Sequence, residues 1–125
     1  VAKRGPVLII GGDGLVGRSL EIHLTQAGYE VVATTRRRSE PTSSNRIFLD
    51  LEEDPTSYAL PQAEVAFIAA GCSGFEMCRA NQELSTKVNI TNTVALASRL
   101  SAAGTFIVFL SSSAVFDGSV LSPTE

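Results

Sequence analysis

Four apolar residues in a row, Val7-Leu8-Ile9-Ile10, run straight into Gly11-Gly12-Asp13-Gly14-Leu15-Val16-Gly17 and then into a helical pattern. An unbroken apolar run rich in β-branched residues predicts a short strand covered on both faces. Over 15–27 the apolar positions Val16, Leu20, Leu24 and Ala27 recur at helical spacing, and Gly28 supplies a stop. The run YEVVATT at 29–35 predicts a second strand and RIFLD at 46–50 a third, with the loop PTSSN at 41–45 between them. Residues 51–55 read as an acidic turn and 58–61 as a short helix or turn. EVAFIAA at 64–70 predicts a fourth strand, ending at Gly71, and a short helix follows over 75–84. The longest helical pattern covers 86–103, with Val88, Thr91, Val94 or Ala95, and Ser98 down one side and Gly104 as its stop. TFIVFL at 105–110 predicts a fifth strand, and 111–125 is polar and rich in turn residues.

Strands alternating with helices imply right-handed crossovers and a parallel sheet. The expected architecture is an α/β, Rossmann-type doubly wound sheet of order 3-2-1-4-5, one domain over 1–125. Its ligand belongs in the crevice at the carboxyl ends of strands 1 and 4. The fifth strand is apolar after its first residue, as a central strand would be. The expectation is therefore that these residues form the front portion of a longer fold, or that a partner covers the outer edge.

Composition narrows the partners. The chain of 125 residues is 44% hydrophobic and 18% charged, which places it among globular domains. A net charge of −3 argues against nucleic acid and against an anionic membrane surface, so Arg36-Arg37-Arg38 needs a local explanation. No apolar run is long enough to span a bilayer, and residues 1–4 lead into a strand where a signal peptide would place its apolar core. Cytoplasm is the expected compartment. Cys72 and Cys78 with a single histidine, His23, make no zinc spacing, and no metal is expected. Both cysteines and Met77 read as packing residues, and His23 as a structural side chain on the first helix.

Chemistry gathers where strands end. At the glycine turn the backbone N–H groups of Asp13, Gly14, Leu15 and Val16 point where an anion can sit, and the helix entered near Gly14 adds about half a positive charge. The spacing of Gly11, Gly14 and Gly17 also occurs in ordinary turns; the strand before it and the helix after it are what point to a nucleotide. Strand 2 ends in Thr35, followed by Arg36, where a site selective for NAD has a carboxylate on the adenosine ribose. An acidic residue about 4 Å from a 2′-phosphate costs about 4 kcal/mol at an effective dielectric near 20. A guanidinium there offers a charge-assisted bond of roughly 1.5–3 kcal/mol. NADP(H) is the expected preference, with NAD(H) still compatible; the plainer alternative is a solvated basic turn. At the end of strand 3, Asp50 can accept from the adenine amino group while Leu51 packs on the ring, although an Asp there is also a common cap. At the end of strand 4, Ala69, Ala70 and Gly71 leave room for a close backbone approach.

Taken together these residues resemble the short-chain dehydrogenase/reductase superfamily, in particular its extended branch of NAD(P)-dependent sugar-nucleotide epimerases, dehydratases and reductases. The resemblance covers nearly the whole chain. Gly11, Gly14 and Gly17 match its glycine turn, Asp50-Leu51 its adenine-contacting pair, and Ala69-Ala70-Gly71 its strand-4 motif. The segment VNITNT at 88–93 is similar to its N-V-x-G-T helix, with Thr91 where glycine is usual. The run FLSSSAVFDG at 109–118 is similar to its S-S-x-x-V-[YF]-G segment, which implies Ser112 as the catalytic position. The ending V-F-D-G leans towards reductases of the dTDP-4-dehydrorhamnose type. The superfamily's Tyr-x-x-x-Lys finds no match: Tyr29 is followed at the fourth position by Ala33 and Tyr58 by Gln62. That motif is expected beyond residue 125, and residues 1–125 alone are expected to be inactive, because nothing else in them relays the proton.

The resemblance implies hydride transfer on a small-molecule nucleotide sugar, with Ser112 orienting the reacting oxygen, and leaves room for a homodimer. The competing reading is a non-catalytic NADP(H)-binding or redox-sensing module of the same fold.

Overall fold

The computed structural model describes residues 4–38, 43, 45–72 and 74–111. In order they form β1 (Arg4–Ile10), α1 (Leu15–Gln26), β2 (Tyr29–Thr35), β3 (Arg46–Phe48), β4 (Val65–Ile68), α2 (Phe75–Ala80), α3 (Gln82–Thr86), α4 (Asn92–Ala102) and β5 (Phe106–Phe109). The sheet order is β3-β2-β1-β4-β5 with every pair parallel, as the alternation of elements predicts. Because β1 is central, the chain winds outward to β3, then crosses back to lay β4 on the other side of β1. The crevice sought from the sequence lies at that reversal.

Successive strand residues face opposite sides of the sheet, so a central strand must be apolar throughout. Leu8 and Ile10 join Val32, Ala66 and Ile68 beneath Leu96 and Leu100 of α4, while Ile9, Val31 and Ala33 meet Leu20 and Leu24 of α1. Leu8, Ile9 and Ile10 are wholly buried, each contributing roughly 1.5–3 kcal/mol by leaving water.

Both helix faces differ from the sequence expectation. On α1, Val16 and Ala27 are exposed, and the inward positions are Gly17, Leu20 and Leu24. The glycine turn draws the start of the helix against β1, and only a residue without a side chain fits at that contact. On α4 the buried positions are Asn92, Thr93, Leu96 and Leu100, whereas Thr91, Val94 and Ser98 face outward. The cause is a π turn at Lys87–Thr91. Its wider turn rotates everything downstream relative to a 3.6-residue pattern.

Two smaller expectations shift as well. The helical turn placed at 58–61 falls earlier, at Pro55–Ser57, where the Asp54 carboxylate caps it by accepting the Thr56 N–H at 2.9 Å. Tyr58 is extended, with its ring 6.0 Å from that of Phe48. β5 is the edge strand among the described residues, paired with β4 alone, and Phe106 and Phe109 are 70% and 54% exposed.

Candidate dinucleotide crevice

The site is built outward from Gly11. Its φ of +96° is a left-handed conformation natural to glycine, and it lets the chain leave β1 sideways towards β2. The turn is then tied to that strand: Gly11 N–H donates to Thr34 Oγ1 and Gly12 N–H to the Thr34 carbonyl, each at 2.9 Å. A Cβ on Gly11 would fall 2.7 Å from the Ala70 nitrogen, so the turn also presses on the exit of β4. A Cβ on Gly17 would fall 2.0 Å from the Gly11 carbonyl oxygen. Gly17 therefore closes the helix onto the turn, a packing role.

The first bond of the α1 ladder is Arg18 N–H to the Gly14 carbonyl at 2.9 Å. The amides of Leu15, Val16 and Gly17 precede it, so no carbonyl of the helix accepts from them. They carry the positive end of the helix dipole. Gly14 has open space around it, its nearest neighbour to an added Cβ being 3.7 Å away.

One cavity gathers residues from four strand ends. It is lined by Gly11, Asp13, Gly14, Arg36, Asp50, Leu51, Ala69, Ala70 and Gly71, with Thr34, Leu49 and Val88 completing the wall. Nine of the twelve residues expected to bind cofactor are thus brought together. Leu15, Val16 and Gly17 stand outside the lining, and the Leu15 side chain is 90% exposed. Ser112 lies outside the described residues.

Charge is distributed differently from the sequence expectation. Arg36 does line the cavity, but its guanidinium reaches across to the end of β3, with Nη2 2.8 Å from Glu52 Oε2 and Nε 3.6 Å from Asp50 Oδ1. Arg38 pairs with Glu53 and lies over the Phe48 ring, 4.3 Å from its centroid. The basic run is answered by the acidic run after β3, which explains it locally. Asp50 Oδ1 accepts the Glu52 N–H at 2.9 Å, and its own N–H donates to Tyr58 Oη at 3.2 Å. Tyr58 donates onward to Glu53 Oε2 at 2.5 Å; burial, then the Glu53 acceptor, push its hydroxyl above the usual tyrosine range.

The exit of β4 is held by Asn89, whose Oδ1 accepts the Cys72 N–H at 2.7 Å while its Nδ2 donates to the Cys72 carbonyl at 2.9 Å. Asn89 sits in the π turn, so that irregularity serves to aim this clasp. Cys78 Sγ lies 3.3 Å from the Cys72 carbonyl and 3.5 Å from Cys72 Sγ, and the neighbouring thiol pushes the Cys72 thiol up. His23 is exposed, donating from Nδ1 to the Ser19 carbonyl at 2.7 Å.

The sequence reading missed four contributions to the crevice. Leu49 and Val88 carry no chemical signal of their own. Thr34 does: it is a threonine inside an apolar strand, buried to 2% exposure, which implies a bonding partner. The carboxylate of Asp13, expected to contribute only its N–H, accepts from Thr35 Oγ1 at 2.7 Å and from Arg36 N–H at 3.3 Å.

A doubly wound parallel sheet with a glycine turn at its reversal point defines a Rossmann-type domain. Within that class the chain belongs to the family described as the RmlD substrate binding domain, whose profile matches residues 5–125. It is similar to the methionine adenosyltransferase 2 subunit beta of Rattus norvegicus and of Mus musculus, 28% identical over 112 residues in each case. The match covers 90% of this chain and 34% of those proteins, so the chain spans about a third of the length of these curated relatives. Among solved structures, a dTDP-4-dehydrorhamnose reductase from Clostridium acetobutylicum superposes with a TM-score of 0.76 at 24% identity, covering 95% of this chain and 40% of that one. A UDP-glucose 4-epimerase from Stenotrophomonas maltophila, solved with NAD and a formylated UDP-arabinopyranose, gives 0.73 at 23% identity, covering 90% and 38%. Among the described residues, no helix is long and apolar enough to cross a membrane.

Proposed function

We propose that this chain is the cofactor-binding part of a longer, cytoplasmic, nicotinamide-dependent enzyme that reduces, epimerises or dehydrates a nucleotide-activated sugar. The observation that carries this reading is the convergence of four strand ends on one cavity beside the unbonded first turn of α1. That arrangement fits a dinucleotide: the first-turn amides and open Gly14 suit a diphosphate, and Asp50 with Leu51 suits an adenine.

Bound there, the nicotinamide supplies hydride transfer. The chain's own residues bind and orient. Gly11 and Ala70 keep the turn and β4 close, Asn89 holds the β4 exit, and Ser112 hydrogen-bonds the reacting oxygen of the sugar. A Tyr-x-x-x-Lys beyond residue 125 completes proton transfer. NADP(H) is preferred over NAD(H) through Arg36, whose side chain is 65% exposed. Exposed ion pairs like the one with Glu52 contribute only about 0–1 kcal/mol, so a phosphate can recruit this guanidinium cheaply.

Calorimetric titration of the full-length protein with NADPH and NADH tests the site; saturable binding is expected, and none with either would remove the reading. Arg36→Ala should weaken NADPH by roughly tenfold or more, from a lost charge-assisted bond, and NADH little. Equal losses would defeat the phosphate assignment. Ser112→Ala should lower kcat steeply on a 4-keto-sugar nucleotide, and an unchanged rate would take Ser112 out of the mechanism.

A second reading is favoured by the curated relatives, which bear the name of a subunit of methionine adenosyltransferase. On that reading the crevice binds NADP(H) and the domain acts through a partner protein. Cofactor binding without turnover of any nucleotide sugar by the full-length protein would select it.

A further inference from the structure

We infer that Asp13 is a specificity-determining residue for the cofactor, opposing Arg36 at the ribose 2′ position. The inference rests on the dinucleotide reading above. In doubly wound folds the ribose hydroxyls are read at the end of strand 2 by a carboxylate carried on that strand. Here β2 ends in Thr35 and continues into Arg36, with no carboxylate at that end of the strand. The glycine turn delivers one instead. Asp13 Oδ2 is fixed at the strand end by Thr35 Oγ1 and the Arg36 N–H, and Oδ1 lies 3.5 Å from Arg46 Nη1.

This carboxylate is held but not consumed. It lines the cavity beside Arg36, and its side chain is 28% exposed. Arg46 offsets its charge only in part, because Arg46 Nη2 is committed to Glu21 at 2.7 Å. A carboxylate accepts from a ribose hydroxyl and repels a phosphate, whereas the Arg36 guanidinium prefers the phosphate. The two side chains therefore pull the preference in opposite directions, and the protein discriminates less between the two cofactors than Arg36 alone would impose.

The test is a pair of dissociation constants, for NADPH and for NADH, measured by calorimetry on the full-length protein and on Asp13→Asn. Asn retains an oxygen for Thr35 and Arg36 while removing the charge. The ratio of NADPH to NADH affinity should rise at least tenfold. A ratio within threefold of the parent, with both cofactors still binding, would overturn the inference and leave the dinucleotide site standing. Failure of the parent protein to bind either cofactor would overturn the site reading itself. If Asp13→Asn loses its cooperative melt, Asp13→Ser carries the same comparison and the same thresholds.

Discussion

Replacing Gly17 by alanine tests the packing on which the crevice is built. In an ordinary helix this change stabilises by up to about 1 kcal/mol, because alanine loses less conformational freedom on folding. At Gly17 the new Cβ would lie 2.0 Å from the Gly11 carbonyl oxygen, 2.9 Å from its carbon and 3.1 Å from Gly12 Cα. All three are backbone atoms, so no side chain can rotate away, and ordinary contact begins at 3.4 Å. α1 must back off by more than an ångström, loosening the contacts of Leu20 and Leu24 with Ile9, Val31 and Ala33. Overpacking of this kind costs about 1–3 kcal/mol. Being against backbone, it belongs at the upper end, and a net loss of about 2 kcal/mol remains after the helix gain. For a domain of this size that lowers Tm by on the order of 5–10 °C. Gly14→Ala is the control: its Cβ meets nothing closer than 3.7 Å and its φ is −76°, so stability should change by less than about 0.5 kcal/mol. Differential scanning calorimetry of both variants decides the matter. A Gly17→Ala protein melting at or above the parent would show that helix and turn are not in this contact.

Other substitutions probe the supports around the site. Asn92→Ala removes two bonds from a buried amide, to the Leu51 carbonyl at 2.6 Å and the Glu53 carbonyl at 3.1 Å. Urea titration should show a loss of about 1–3 kcal/mol, and a loss under about 0.5 would mean the acidic turn stands without it. Tyr58 holds its proton more tightly folded than unfolded, so its contribution is complete below its ordinary pKa of 10.0 and fades as pH rises through the raised value. The stability gap between the parent and Tyr58→Phe should therefore be constant from about pH 8 to about pH 9.5 and narrow above that; a gap that stays level to about pH 11 refutes the linkage. Glu52→Gln breaks an exposed pair with Arg36. It should shift stability by less than about 1 kcal/mol while tightening NADPH, and unchanged NADPH affinity would mean that the pair does not hold Arg36 back.

Much of this protein was legible along the chain because a buried parallel strand advertises itself. Val7 to Ile10 has no polar position to spare, and the glycines that follow leave few alternatives to a tight turn into a helix. From that and the alternation of elements the sheet order followed. The crevice followed too, since topology sends strand ends to one edge. The faces of α1 and α4 were not legible. Gly17 faces inward because of what it touches in β1, and a π turn displaced the α4 stripe from any fixed period. Nor does a one-dimensional reading tell where a charge ends up. Arg36 looked free to greet a phosphate, yet Glu52 and Asp50 hold it. The carboxyl end of strand 2 looked bare of acid, yet Asp13 reaches it from twenty-odd positions away. Local pattern decides which segments are covered, because burial depends on each residue's own chemistry; pairing between distant side chains depends on distances that only the folded backbone sets.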